Sequence, residues 1–358
     1  VVEPKKVYAR EMRFKGAFSN IGLDIGSFQV KLAQYKSRGG QIYLHQYGIY
    51  PLSEGVVEGG RVIDPETLGN QLRWIVRQRR FKKNKVNLCV SSQNVILRHV
   101  VFPMMSSKEI PDALRWEAEK HIMIPPEDAV IDYIQLGERV VEGKQVIEVL
   151  LVAVPKDVVN SYIEAVTRAG LYPEVVEIEP FSLQRTIQQT FEGRPMGPEP
   201  FLLLDIGGDG SSLLVLQGGN YCFSRTFNVG TFDFCRRVSE LNEVDLETAR
   251  RMVFGLDAFS VEGMTEVADE LVQQIRRSLD YIVYKMRRLE RDFNSLYLCG
   301  GGTFIEGLNK YLEQQLGVEI NNFNPLSFVN LDRRFMQIES EQNLLSIASG
   351  LALRGWVL

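Results

Sequence analysis

The chain has 358 residues of which 45% are hydrophobic, the make-up of a folded globular protein large enough for two domains or one bilobed body, which excludes general disorder. Its 41 Lys and Arg against 45 Asp and Glu leave a net charge of −4, which argues against wholesale nucleic-acid binding while allowing local basic patches. Cys89, Cys222, Cys235 and Cys299 form no CxxC pair and the three histidines lie far apart, a reduced, cytosolic pattern without a metal signature.

Residues 1–20 mix Lys5, Lys6, Arg10, Arg13 and Lys15 with Glu3 and Glu11 and lack the apolar core of a secretory signal, so they read as an N-terminal extension of an unexported chain. IGLDI, VKLAQY and QIYLHQYGIY, separated by Gly26 and by SRGG, predict hairpin-linked strands over 21–50. A helix follows: Asp64-Pro65 is an N-cap before a first-turn proline, and Leu68, Leu72, Ile75 and Val76 recur at helical spacing. VNLCVS and VILRHVVF read as strands, the second ending at Pro103. SSKEIPDALRWEAEKHI then offers cap-type serines and puts Ile110, Ala113, Leu114, Ala118 and Ile122 on one helical face, stopped by Pro125-Pro126. IDYIQL and VIEVLLVAVP predict two strands, a helix spans 156–169 and closes at Gly170, and VVEIEP leads into the helical FSLQRTIQQTF. Glycine and proline concentrate in EGRPMGPEP, residues 192–200, which reads as a crossing between lobes. The longest apolar runs, such as 149–154 and 201–204, are far too short to span a bilayer, so membrane association would go through a partner or a surface patch.

The second half restarts the pattern of the first. FLLLDIGGDGSSLLVLQGG is again an apolar strand, an Asp-x-Gly turn and an apolar strand, continued by NYCFSRTFNVG, so a D-I-G core at Asp24 and Asp205 marks an internal duplication. A long helix is predicted over ADELVQQIRRSLDYIVYKMRRLERDF, where Leu271, Ile275, Leu279, Ile282, Met286 and Leu289 recur at three or four. The strand SLYLC then runs into GGGTFIEG and another helix.

A bare carboxylate beside a glycine is costly in a core strand, and it points to a ligand. Backbone amides of a tight turn reach phosphate oxygens only where side chains do not intervene, hence glycine or serine at the tip. Asp24 and Asp205 suit a Mg²⁺ shell held through water, Lys31 supplies a charge for terminal phosphates, and Gly300, Gly301 and Gly302 sit between a strand and a helix, as a nucleotide turn would. One such turn alone is an ordinary hairpin. Three in the order hairpin, hairpin, glycine turn point to a phosphate chain between two lobes. The chain has neither GxxxxGK[ST] nor the spacing of the dinucleotide fingerprint.

On these motifs the sequence resembles the superfamily of actin, hexokinase and the heat-shock chaperones, and within it the PilM family, cytoplasmic actin-like proteins of the type IV pilus assembly platform. GLDIGSFQVKL is similar to the first phosphate motif, LLLDIGGDGSSLLVL to the second, LYLCGGGTFIEGLNKYLEQQLGVEI to the adenosine motif and IASGLALRG to the closing helix. FPMMSSKEIPDALRWEAEKHIMIPPEDAVIDY resembles the segment that PilM proteins insert in their first lobe, and EVLLVAVPKDVVNSYIEAVTRAGLYPEVVEIEPFSLQ follows the family through the lobe connection. The resemblance implies an α/β, actin-like (ribonuclease H-like) bilobed fold: a first lobe over 21–195 with an inserted subdomain at about 86–155 and completed by 335–358, and a second lobe over 196–334. It assigns Asp24 and Asp205 to Mg²⁺, Gly26, Ser27 and Lys31 to the phosphates, Gly207 and Gly208 to a phosphate cradle, and Gly300 to Gly302 to the nucleoside. Glu179 matches an acidic position where some relatives orient a water. The chain departs from the family at Phe28, whose ring would crowd a phosphate, and at Arg250 and Val253, where relatives carry Glu and Lys against ribose and adenine. The implied cofactors are ATP and Mg²⁺ in a weakened site with at most very weak hydrolysis.

The implied function is that of a scaffold at the cytoplasmic face of the inner membrane. A groove of the first lobe and its insertion would bind the short N-terminal segment of the membrane protein PilN, with the pilus motor ATPases as further partners and ring assembly open. An active actin-like ATPase, or an FtsA-like filament-forming membrane tether, are the alternatives. RWIVRQRRFKKNK, residues 73–85, reads as a solvated helix end whose cations favour the dipole, or as a membrane-facing patch. Arg276, Arg277, Arg287, Arg288 and Arg291 line the polar side of the long helix, either solvated or facing an acidic partner. Trp116 and His121 read as core and rim residues, with a peptide-anchoring role for Trp116 as the alternative.

Overall fold

In the computed structural model the described residues are 15–357 except 83, 107, 123, 142, 193–195, 198 and 287–292. Most of the predicted N-terminal extension, the middle of the 192–200 crossing, and Leu289, Arg287, Arg288 and Arg291 therefore lie outside the described residues.

The opening strands are β1 (Ile21–Ile25), β2 (Gln29–Arg38) and β3 (Gln41–Pro51), followed by the short pair β4 (Val57–Glu58) and β5 (Arg61–Val62). Helix α1 (Pro65–Arg79) starts where the sequence puts it, because the Asp64 carboxylate accepts from the backbone N–H groups of Glu66 and Thr67 and satisfies two donors of the first turn. β6 (Lys85–Val90) returns to the first sheet, whose order is β10-β6-β1-β2-β3 once β10 (Tyr172–Ile178) has joined it. Its inner side chains, among them Ile21, Leu23, Leu32, Val86 and Leu88, pack on Leu68, Leu72 and Ile75 of α1 and on Val158, Tyr162 and Val166 of α3 (Lys156–Arg168).

Between β6 and α3 the chain builds a separate unit of β7 (Ile96–Pro103), α2 (Ile110–His121), β8 (Ala129–Val141) and β9 (Lys144–Pro155), with strand order β7-β9-β8. Its own core gathers Ile110, Leu114, Ala118 and Ile122 of the predicted face on Val149, Leu151 and Ala153. The boundary differs from the sequence expectation: residues 85–90 pair within the main sheet, so the inserted unit begins at Ile96 and not near 86. Ser106 does not cap α2 either, and Ser107 lies outside the described residues. The Glu109 carboxylate instead accepts from the N–H and hydroxyl of Ser106, which folds the approach to the helix back on itself. Trp116 is 74% exposed on α2, so it is not a core residue.

After α4 (Glu179–Thr190) the second lobe repeats the first: β11 (Pro200–Ile206), β12 (Ser211–Gln217) and β13 (Asn220–Phe227) form antiparallel hairpins, and β14 (Ser295–Gly300) and β15 (Glu319–Asn322) add in parallel to give the order β13-β12-β11-β14-β15. Helices α5 (Thr231–Asn242), α6 (Leu246–Val253), α7 (Met264–Asp280) and α8 (Leu308–Leu316) cover it, with Phe234, Val253, Leu271, Ile275 and Leu312 among the buried side chains. The long helix is not uniformly α: at Tyr281–Met286 it widens into a π-helix.

The chain then returns to the first lobe earlier than residue 335. Leu326 already lies in the core beneath β2 and β3, and Asn330 donates its N–H to Ile42 O on the outer edge of β3. α9 (Ser346–Leu353) closes that lobe against β1 and α4. Close approach requires glycine at two places here: a Cβ at Gly22 would overlap the backbone of Ala348, and one at Gly350 would overlap the Ser182 carbonyl. The lobes are joined by a mixed apolar cluster in which Leu183, Ile187, Ile347 and Leu351 meet Phe201, Leu203, Leu214 and Phe323.

Candidate functional site

The hairpin turns β1–β2 and β11–β12 face each other. In each the first glycine amide closes the turn: Gly26 N–H donates to Gln29 O at 3.0 Å and Gly207 N–H to Gly210 O at 2.9 Å. Asp24 stands opposite Lys31 in the β1–β2 register and is 5% exposed, and Lys31 Nζ donates to Asp24 Oδ2 at 2.9 Å. Burial alone would lower the Lys31 pKa, but the charge and hydrogen bond of Asp24, with the charges of Asp205 and Glu179, hold it above the usual lysine value. Asp205, on β11 beside Cys299, is pushed up to about 6, first by burial and further by Asp24, while Lys31 and a hydrogen bond from the Cys299 thiol pull it down. Glu179 is the first residue of α4, where the helix dipole favours an anion. The structure thus brings Asp24, Lys31, Asp205 and Glu179 into one cluster at the base of the interlobe cleft. Cys89 and Cys299 border it as buried thiols pushed well above their ordinary range, which makes them packing groups and not nucleophiles.

The triple glycine divides by role. Gly300, at φ 81°, presses on Asp205 Oδ1 and Ile206 O so closely that a Cβ would overlap both. Gly301 has ordinary room, with Thr231 the nearest neighbour at 3.7 Å from a built Cβ. Gly302 is buried against the Ile206 side chain, packing the turn onto β11. Val253 is fully buried in the second-lobe core and does not line the cleft, whereas Arg250 is exposed on α6.

Ser27 is partly buried at the first tip, and Phe28 beside it crosses the cleft. Its ring lies on Gly208, where even a methyl group would overlap it, and meets Phe232 of α5 with centroids 5.5 Å apart. Three residues without a sequence signal complete the contact between the lobes. Gly59, in the β4–β5 turn, donates its N–H to Asp209 Oδ2 at 3.2 Å, and Gln93 Nε2 donates to Asp209 O at 2.7 Å. Asn94 Nδ2 holds the same turn by donating to Gly59 O and Gly60 O. The tip of the second hairpin is therefore gripped from the first lobe by one ring and two hydrogen bonds. Gly59, Gln93 and Asp209 are far apart in sequence, and nothing local to any of them announces the contact.

The donor set fits MgATP on its charged side: Asp24 and Asp205 can hold Mg²⁺ through water, and Lys31 can meet phosphate. The glycine cradle is covered, since Phe28 occupies Gly208. Among the described residues no group of three or more His, Cys, Asp or Glu side chains is placed to hold a metal ion directly.

A second concavity lies where the inserted sheet meets the first lobe and faces the second. β7 and β13 are each the end strand of their sheet, and the groove between them is lined by Gln93, Leu97, Arg98, Pro180, Ser224 and Arg225. Farther along, His99 stacks on Tyr221 at 6.1 Å and joins the two edges. His99 is fixed from behind by Glu148, 3.2 Å from its Nδ1.

Two duplicated sheets, each opened by an Asp-bearing hairpin and facing the other across a cleft, define a protein of the actin-like fold. The backbone agrees in its course with EutJ, an ethanolamine utilization protein from Carboxydothermus hydrogenoformans (TM-score 0.56, 15% identity, 96% of this chain and 91% of that one), a likeness of fold. The chain belongs to the family of the type IV pilus assembly protein PilM, whose sequence pattern matches residues 22–356. It is similar to a chain of the PilM-PilN type IV pilus biogenesis complex, with TM-score 0.84 and 30% identity over 95% of this chain and 99% of that one. It is also 22% identical over 361 residues to the cell division protein FtsA of Streptococcus pneumoniae serotype 2, covering 85% of this chain and 75% of that protein. No helix among the described residues is long and apolar enough to cross a membrane.

Proposed function

We propose that this chain is a scaffold of the pilus assembly platform that takes up the short N-terminal cytoplasmic segment of a PilN-like membrane protein. The observation that carries the reading is the likeness, over nearly the whole of both chains, to a protein seen in complex with PilN. The groove beside β7 supports it physically. An extended peptide can add to an unpaired strand edge, with main-chain hydrogen bonds supplying affinity and side-chain pockets specificity. Both β7 and β13 present such an edge there, and Arg98 and Arg225 at the lining favour a segment with an acidic residue. Through that partner the chain would sit at the cytoplasmic face of the inner membrane and link the membrane proteins to the motor ATPases.

The cleft is proposed to hold MgATP as a ligand of the scaffold, with Asp24 and Asp205 toward Mg²⁺ and Lys31 toward the phosphates. Bound nucleotide would supply a polyanion that competes with Asp24 for Lys31. Because Phe28, Gly59 and Gln93 grip the second hairpin, entry of phosphate has to loosen that grip, and the angle between the lobes is the quantity it would change. The test is binding of a labelled peptide with the partner's N-terminal sequence, with and without MgATP, to the parent and to Arg98→Glu/Arg225→Glu. Saturable binding weakened at least tenfold by the double substitution is expected. Absence of peptide binding to the parent would overturn the scaffold reading, and unchanged binding by the variant would move the peptide to another edge.

A further inference from the structure

The function above leaves the basic end of α1 unused. Between Glu66 and Glu109 the sequence contains no carboxylate, and the cations of that interval crowd its first half. Arg73, Arg77, Arg79, Arg80 and Lys82 are all exposed, and among the described residues none of them stands in an ion pair. Three arginines of the second lobe behave differently: Arg236 pairs with Asp233, Arg237 with Glu240 and Glu266, and Arg251 with Glu247. Five exposed cations within ten residues are thus left open at this helix end, in a stretch of sequence without a carboxylate, more than the helix dipole requires.

The patch is held rigidly. Lys82 N–H donates to Gln34 Oε1 at 2.9 Å, the Gln34 amide donates back to Lys82 O, and Gln46 Nε2 donates to Arg79 O. In its midst Trp74 is 57% exposed, standing edge-on to Tyr50 with centroids 6.0 Å apart, while Arg79 lies over the other ring at 5.3 Å. Lys82 also adds to the field of Arg334 and Lys36 at His45, whose pKa is lowered first by burial and then by those three cations, against the opposing charge of Asp332, with which Lys36 and Arg334 pair. A propped aromatic surrounded by open cations matches a phospholipid surface. Anionic headgroups meet the cations, and an indole settles at the interface between headgroup and acyl chain.

We infer that the α1 end, with Trp74 at its centre and Arg73, Arg77, Arg80 and Lys82 around it, is a contact surface for anionic phospholipid, by which the chain touches the membrane directly and without its protein partner. A lone aromatic with a handful of cations gives reversible adsorption and not an anchor, as single signals do. The direct contact would add to a tethered complex by raising local concentration at the surface.

The test is co-sedimentation of the full chain alone with vesicles of pure phosphatidylcholine and with vesicles containing about a third phosphatidylglycerol, at low and physiological salt. Binding to the anionic vesicles only, weakening with salt, is expected. Arg77→Glu/Arg80→Glu should lower partitioning about 25-fold or more, at about fivefold per cation removed, and Trp74→Ala should lower it several-fold with the salt dependence kept. Arg236→Glu/Arg251→Glu, which makes the same change in net charge at paired positions, should stay within about twofold of the parent. Equal binding to neutral vesicles, an equal loss in the Arg236/Arg251 variant, or no vesicle binding would each overturn the inference. Retention of duplex DNA without retention of vesicles would overturn it in favour of a nucleic-acid surface. Unchanged peptide binding by the Arg77/Arg80 variant shows that it is folded, so failure here is separable from failure of the scaffold reading.

Discussion

Asp205→Asn should make the protein more stable at neutral pH while removing the proposed Mg²⁺-dependent nucleotide binding. Asp205 is pushed from an ordinary 3.8 to about 6, a shift of roughly two units, and each unit corresponds to about 1.4 kcal/mol. A carboxyl whose pKa is raised on folding binds its proton more tightly in the folded than in the unfolded chain. Its neutral form therefore adds stability that is fully present below about pH 4 and is lost as the pH rises through 6. At pH 7.5 the ionised group costs up to about 3 kcal/mol with the attraction of Lys31 already included, and partial exposure brings the net gain of the Asn variant to about 1–2 kcal/mol. For a chain of this size that is a rise in Tm of about 1–3 °C. The assay is thermal unfolding of parent and variant at pH 5 and pH 7.5, followed by titration with MgATP. The variant should gain clearly more at pH 7.5 than at pH 5. An equal shift at the two pH values, or a variant less stable than the parent at pH 7.5, would refute the electrostatic account of the cluster.

Phe28→Ala removes the ring from Gly208 and Phe232; because the ring is 39% exposed, about 1–2 kcal/mol of stability should be lost. If entry of phosphate has to displace the same contact, MgATP should bind the variant roughly 5- to 30-fold more tightly, which fluorescence of a labelled nucleotide measures. Gly350→Ala should destabilise by about 3 kcal/mol or more in urea unfolding, since its Cβ would overlap the Ser182 carbonyl and α9 has no room to shift. Glu177→Ala strips Arg185 and Arg354 of the carboxylate that both contact, 2.8 Å from Arg185 Nη1, and should cost about 2–4 kcal/mol by the same measurement.

The repeat was legible because it is written in local chemistry. An apolar strand, an Asp-x-Gly turn and a second strand fix both hairpins, so Asp24 and Asp205 could be paired across the molecule from sequence alone. Helix α1 was legible for the same reason, its first turn being specified by Asp64 and Pro65. What escaped depends on surroundings. Trp116 is two residues from both Leu114 and Ala118, about 200° round the helix from each, so the packing of that face on the small core of the inserted unit leaves the indole outside. Residues 85–90 were grouped with the insertion because strands follow one another there, although pairing with β1 assigns them to the main sheet. The grip of Gly59 and Gln93 on Asp209 joins residues 150 and 116 positions apart, so no window of sequence contains it.

Helix α9 has a consequence for how the molecule is made. Tyr35 O–H donates to Ser349 Oγ at 2.8 Å across 314 positions, so β2 waits for a partner synthesised hundreds of residues later. At typical elongation rates that wait is roughly 16 to 60 seconds. The strands and helices of the duplicate half find their neighbours among residues 200–322, and can assemble while the opening sheet still lacks its base. On the ribosome, then, the half that emerges first is completed last, and it stays exposed to chaperones and proteases until the closing helix arrives.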